Sequence, residues 1–163
     1  MIQSRGYQSE EYKVITEDGY ILTLFRIVNQ YKNSTNKPVV FLQHGVFRSC
    51  DDWIEISEGG LDSRHNYYEN GGSIVNHCES TRSNPPGNTL GFVLADCGYD
   101  VWLGNSRGTT YSNDHQTLSK TDPRFWQYSF QQMGEYDLPA SIDFVLKKTG
   151  QSKCIYNWFL III

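Results

Sequence analysis

Two short motifs carry residues that could act on a carbonyl group. The first, Gly104-Asn105-Ser106-Arg107-Gly108, matches the pattern Gly-x-Ser-x-Gly. In enzymes with this pattern the serine attacks a carbonyl carbon from a tight turn between a strand and a helix. The second motif is the dipeptide His44-Gly45. A glycine after a buried strand lets the backbone turn, so that N–H groups can stabilise an oxyanion.

The residues after Ser106 argue against a nucleophilic role. The tight turn needs a helix just after the serine, but the stretch from Thr109 to His115 has no helical apolar period. His115, the only later histidine, follows in the same predicted loop. We therefore predict that Ser106 and Arg107 form a hydrogen-bonded loop at a strand end. A helix beginning at Gly108 would favour the alternative, a reduced esterase that uses Ser106.

The remaining polar candidates are weaker. His44-Gly45 is open to two interpretations, an oxyanion turn or a structural turn whose histidine is satisfied by hydrogen bonds. Asp137 fits the N-cap of a helix and Asp143 fits the exposed face of the same helix, so neither is predicted to be a catalytic acid. His65 and His77 fall in a polar stretch and are predicted to be solvated.

Composition excludes several functional classes. With 14 basic and 18 acidic residues and no basic run, the chain is not expected to bind nucleic acid. The cysteines match no zinc pattern, so we expect isolated thiols, with disulfides left open, and neither a metal nor a cofactor. The four cysteines are Cys50, Cys78, Cys97 and Cys154.

Targeting signals point in opposite directions. Met1 to Arg5 lacks the apolar core of a signal peptide, and the apolar run 158–163 is too short to span a membrane. Asn33-Ser34-Thr35 is nevertheless a candidate glycosylation site, which is used only in the secretory route. The compartment therefore stays open.

The elements that would position these motifs follow a strand–helix–strand order. This order predicts an α/β fold with an N-terminal hairpin, βαβ units and a mostly parallel sheet. An irregular stretch at about 58–83 interrupts it. The predicted elements are strands at Glu11–Thr16, Tyr20–Val28, Pro38–Gln43, Tyr99–Gly104 and from Lys153 to Tyr156, and helices at Asn88–Gly98 and Phe125–Lys148, the second broken or recapped near Pro139.

Several longer runs resemble the N-terminal part of the acid lipases, the family of gastric and lysosomal lipases. They include Thr16-Glu17-Asp18-Gly19-Tyr20, Val40-Phe41-Leu42-Gln43-His44-Gly45, Gly98-Tyr99-Asp100-Val101-Trp102-Leu103-Gly104-Asn105-Ser106-Arg107-Gly108 and Tyr136-Asp137-Leu138-Pro139-Ala140. The resemblance implies an α/β-hydrolase fold and hydrolysis of triacylglycerols or cholesteryl esters by a Ser-Asp-His triad. It assigns an oxyanion-hole N–H to Val46, and makes Gly104 to Gly108 a non-nucleophilic strand end. Members of the family are secreted or lysosomal.

The sequence also departs from the family. After Tyr156 the family continues into Val-Gly-His-Ser-Gln-Gly, which carries the nucleophile, whereas this chain continues with Asn157-Trp158. The stretch 58–83 has no counterpart. We therefore expect residues 1–163 to be a truncated N-terminal portion without the triad, inactive as written. The alternatives are a reduced esterase using Ser106, or a non-catalytic half-domain that captures a partner or aggregates through an exposed sheet edge.

Overall fold

The computed structural model describes residues 1–28, 37–55, 59–61, 67–69 and 89–158. The regular elements follow the predicted strand–helix–strand order. The strands are β1 (Gln8–Ile15), β2 (Tyr20–Val28), β3 (Val39–Gln43), β4 (Gly59–Leu61), β5 (Tyr67–Glu69), β6 (Asp100–Gly104), β7 (Asp114–His115) and β8 (Ile155–Trp158), and the helices are α1 (Leu90–Asp96), α2 (Phe130–Gln132) and α3 (Leu138–Thr149).

The main sheet has the strand order β1-β2-β6-β3-β8, with β7 paired to β2. β3 runs parallel to both β6 and β8, which confirms the parallel core of the predicted fold. The N-terminal hairpin adds antiparallel strands, so the sheet is mixed. Gly19 has a φ of +94° in the turn between β1 and β2, a value that glycine adopts without strain.

Alternate residues of the central strands pack on opposite faces of the sheet. Val40 and Leu42 lie in a core with Phe92 of α1, whereas Phe41 lies in a second core with Val145 of α3. This alternation follows from the two-residue period of a strand, and both faces are apolar because helices cover both. The fold is therefore a three-layer α/β arrangement around β3 and β6.

The long C-terminal helix differs from its prediction at two points. Phe125 belongs to a separate 3-10 turn (Pro123–Trp126), and the helix begins at Phe130, where Ser129 and Gln132 form a capping box. A π turn (Met133–Asp137) then leads directly into α3. Pro139 therefore does not break the helix, because it lies in the first turn of α3, where proline is tolerated.

Part of the predicted irregular stretch is ordered, since β4 and β5 form an antiparallel pair. The rest of that stretch lies outside the described residues, as do Asn33, His65, His77 and Cys78. α1 ends as predicted, with Gly98 at a φ of +91°. Within the described ranges, every helix is too short or too polar to cross a membrane.

Candidate functional site

The two sequence motifs meet where β3 and β6 end. These strands are parallel neighbours in which Gln43 pairs with Gly104, so the segments that follow them lie at the same edge of the sheet. A Cβ atom on Gly104 would lie 2.5 Å from both Gln43 Oε1 and Phe41 Cζ. Glycine at this position thus leaves room for the side chains of Gln43 and Phe41, which any larger residue would force to shift. In open α/β sheets this edge is where ligands bind.

His44 links the two segments through both of its ring nitrogens. Its Nε2 accepts a hydrogen bond from the backbone N–H of Ser106 at 3.1 Å, and its Nδ1 lies 2.7 Å from the carbonyl oxygen of Gly45. This pattern assigns the proton to Nδ1. The ring is buried, and burial lowers its pKa below the ordinary value for histidine. His44 is therefore a neutral cross-link between the motifs, with no ring nitrogen left for a serine hydroxyl.

Val46 occupies a tight turn directly after His44-Gly45. The N–H of Arg48 donates to the carbonyl of Gly45 at 3.3 Å, and Phe47 has a φ of +59°. In the four-residue turn Gly45–Arg48 the third residue has a positive φ and the second does not. This combination defines a type II turn, in which Val46 is the second residue. Within the described part of the chain, the N–H of Val46 donates to no acceptor. Val46 lines a cavity of about 1370 Å³.

Ser106 lies in a hydrogen-bonded loop. Its Oγ accepts from Gln43 Nε2 at 3.1 Å, while its N–H is bound to His44. The chain then forms a turn in which the N–H of Gly108 donates to Ser112 at 2.8 Å, and residues 107–113 contain no helix. The helix that would favour Ser106 as a nucleophile is therefore missing at this point. Among the side chains that the structure describes, no serine hydroxyl bonds to a histidine ring.

Arg107, which is buried, forms an ion-pair cluster with buried Asp137 and partly exposed Asp18, which we call the Arg107 cluster. Its guanidinium binds Asp18 through two nitrogens, at 2.5 and 2.8 Å, and Asp137 through Nε at 2.8 Å. The Arg107 backbone N–H also donates to Asp137, at 2.9 Å. Tyr20 packs its ring 3.9 Å from the guanidinium carbon. Although burial opposes it, hydrogen bonds from Arg107 and Thr16 lower the pKa of Asp18.

The Arg107 cluster corrects one prediction and adds residues that the sequence analysis missed. Asp137 is not an N-cap, because its backbone is helical (φ −69°, ψ −47°) and its carboxylate is bound to Arg107. Asp143 is exposed on α3 as predicted. No local pattern relates Asp18, in a hairpin turn, to Asp137, in a helix far along the chain, so sequence reasoning had no signal for the cluster.

Comparison with known proteins identifies the family. The model for the partial alpha/beta-hydrolase lipase region matches residues 1–57. Gastric triacylglycerol lipase of Bos taurus is 46% identical over 159 residues, covering 96% of this chain and 33% of the relative. The lysosomal acid lipase/cholesteryl ester hydrolase of Homo sapiens is 44% identical over 154 residues, covering 93% and 32%. The chain belongs to the acid lipase family. It spans about a third of the length of these relatives.

The cysteines of this acid lipase family member differ in state. Cys50 and Cys154 are free, and Cys97 is disulfide-bonded. Burial raises the pKa of the Cys50 thiol to about 12, so this thiol stays protonated and is a poor nucleophile. Among the described residues, no three His, Cys, Asp or Glu side chains are grouped so as to hold a metal ion.

The burial of neutral His44 predicts a pH-dependent stability. Because burial lowers the pKa of His44 in the folded state, the unfolded chain binds more protons at mildly acidic pH. The stabilisation is complete above the unfolded pKa of about 6.5 and is lost as pH falls from there through the folded pKa. Urea unfolding at several pH values between about 7.5 and 5 measures it.

His44→Gln is the matched control for this prediction, since its side-chain oxygen can still accept the Ser106 N–H but does not titrate. We expect the variant to have a flatter dependence of unfolding free energy on pH. Equal slopes for the two proteins would contradict a neutral, buried His44.

Proposed function

We propose that this chain supplies the oxyanion-hole half of a lipid ester hydrolase, with the backbone N–H of Val46 as the donor. One observation carries the proposal: this N–H has no acceptor within the described residues, although it lies in a tight turn beside a cavity. A donor held in this way can stabilise the negative oxygen of a tetrahedral intermediate without reorganisation. His44 and Gly45 shape the turn.

The substrate class in this proposal is a neutral lipid ester, a triacylglycerol or a cholesteryl ester. The names of the relatives support it, because one is a gastric triacylglycerol lipase and another a cholesteryl ester hydrolase. The cavity is also lined by large apolar side chains that suit an acyl chain: Phe47, Phe130, Met133, Leu138, Tyr156 and Trp158.

We further propose that the nucleophile lies outside the described residues. Ser106 is a poor candidate, because its hydroxyl is bound to Gln43 and no helix supports the turn after it. Oxyanion donors without a nucleophile have no intermediate to stabilise. The purified chain should therefore not hydrolyse a short-chain ester above background, and Ser106→Ala should change nothing. Turnover that Ser106→Ala abolishes would establish the reduced-esterase alternative instead.

A chimera provides the positive test. Residues 1–156 of this chain replace the matching part of the bovine gastric triacylglycerol lipase, and the bovine enzyme supplies the rest of the chimera, including the segment that follows Tyr156. We expect the chimera to release fatty acid from a triacylglycerol emulsion, measured by titration at constant pH, with Ser106→Ala as active as the parent. A chimera that is folded by circular dichroism but inactive would refute the proposed oxyanion role.

A second candidate function, a non-catalytic binding half-domain, is favoured by the exposed edge at β8. Among the described strands β8 pairs only with β3, and Ile155 and Trp158 are 53% and 51% exposed. The opposite edge strand, β1, instead carries an exposed ion pair between Glu11 and Lys13, of the kind that blocks edge pairing. Concentration-dependent sedimentation that Trp158→Lys abolishes would support partner capture through β8, and a monomer at all concentrations would exclude self-association there.

A further inference from the structure

We infer that Arg107 is a positioning residue for the oxyanion turn, although it lies outside that turn. The inference rests on the proposed role of Val46 and explains what holds the donor in place. Each step is a contact between neighbouring groups, running from the Arg107 cluster through Ser106 and His44 to the turn at Gly45–Arg48.

The first step is the anchoring of the loop after β6. Asp18 belongs to the turn between β1 and β2, and Asp137 to the junction of the π turn and α3. Arg107 is fully buried between them and binds both carboxylates. Its own backbone N–H is bound to Asp137, so the cluster fixes main-chain atoms as well as a side chain. Charge-assisted bonds of this kind are stronger than neutral ones.

The second step connects this anchor to the turn. The residue before Arg107 is Ser106, and its N–H is the donor to His44 Nε2 at 3.1 Å. His44 Nδ1 lies 2.7 Å from the carbonyl of Gly45, the residue that opens the turn and accepts from Arg48. A shift of the Ser106 peptide would therefore release the His44 imidazole. The Gly45 carbonyl, which belongs to the same peptide unit as the Val46 N–H, would then lose its contact with the ring.

Arg26 offers a matched control within the same sheet. It also binds a buried carboxylate with two nitrogens, Asp100 at 2.7 and 2.9 Å, and lies 5.2 Å from the ring of Trp102. It bridges β2 and β6 but contacts neither Ser106 nor His44. The Arg26 side chain is 28% exposed, whereas that of Arg107 is fully buried. Arg26→Lys therefore weakens an ion pair to a buried carboxylate without touching the proposed connection, whereas Arg107→Lys weakens the Arg107 cluster itself.

The test is NMR of the full ¹⁵N-labelled chain. In Arg107→Lys we expect the Ser106 and Val46 amide signals and the His44 ring nitrogens to shift, and hydrogen exchange at Ser106 to accelerate by about tenfold or more. Amides of Leu42 and Leu103 in the paired strands should change by less than about threefold. Arg26→Lys should leave all the turn signals unchanged. If Arg107→Lys does not fold, Asp137→Asn, which keeps the size of the side chain, replaces it.

Equal acceleration of all amides would show that Arg107 contributes only global stability, and unchanged Ser106 and His44 signals would show no connection; either result overturns the inference. The NMR signals report the conformation of the turn in the absence of substrate, so they can be measured whether or not the protein is active. If the chimera is inactive while Arg107→Lys still releases the turn in the NMR experiment, the oxyanion role of Val46 is refuted and the positioning role of Arg107 stands. In an active chimera, Arg107→Lys should lower kcat by about tenfold or more with KM unchanged, because a misplaced donor loses transition-state binding only.

Discussion

Val46→Pro in the lipase chimera is expected to lower kcat by about 10²–10³, the usual cost of removing one oxyanion donor. Proline has no N–H, so the substitution deletes the proposed donor itself. It should also preserve the turn. Val46 is the second residue of a type II turn closed by Arg48 and Gly45, the position at which proline is favoured. Titration of fatty acid release over a range of substrate concentrations measures kcat and KM separately.

Val46→Ala is the control for this experiment, because it trims the side chain and keeps the backbone N–H. We expect it to retain kcat within a few-fold, and both variants to keep KM near the parent value, since the donor acts mainly on the transition state. If Val46→Pro were as active as Val46→Ala, the N–H of Val46 would not be an oxyanion donor and the proposed function would lose its main support.

Arg107→Met is expected to destabilise the folded chain by about 3–5 kcal/mol, the range seen when one partner of a buried ion pair is removed. The arginine side chain is fully buried, and its loss leaves the carboxylates of Asp18 and Asp137 without the guanidinium that binds them. Tyr20 also loses the cation stacked on its ring. Urea denaturation followed by tryptophan fluorescence gives the change in free energy of unfolding.

Two further variants separate the buried charge effect from a general effect of losing arginine. Arg124 pairs with Asp122 at 2.7 Å, but its side chain is 70% exposed, so Arg124→Met should change the free energy of unfolding far less than Arg107→Met does. Adding Asp137→Asn to Arg107→Met should recover part of the lost stability, because it removes one of the uncompensated charges. Strictly additive losses in that double variant would contradict the ion-pair explanation.

The sequence alone determined the local elements and the family. Five apolar residues among the six from Pro38 to Gln43 predict a strand covered on both faces, and the structure confirms it as β3. Asp18-Gly19 predicts the first hairpin, and Gly98 the end of α1. These features depend on the conformational preferences of a few adjacent residues, which is why a single sequence is enough to read them. The longer motifs identify the acid lipase family because matching so many positions requires common ancestry.

The tertiary structure alone decided how the motifs are connected. Asp137 reads locally as a helix cap, and only the crossing of α3 over the loop after β6 makes it a partner of Arg107. The hydrogen bond from the Ser106 N–H to the His44 ring exists because the parallel pairing of β3 and β6 brings the two motifs together, and neither motif predicts it. Such contacts depend on strand order and on which face of the sheet each helix covers. These are properties of the whole chain, and no short window of sequence contains them.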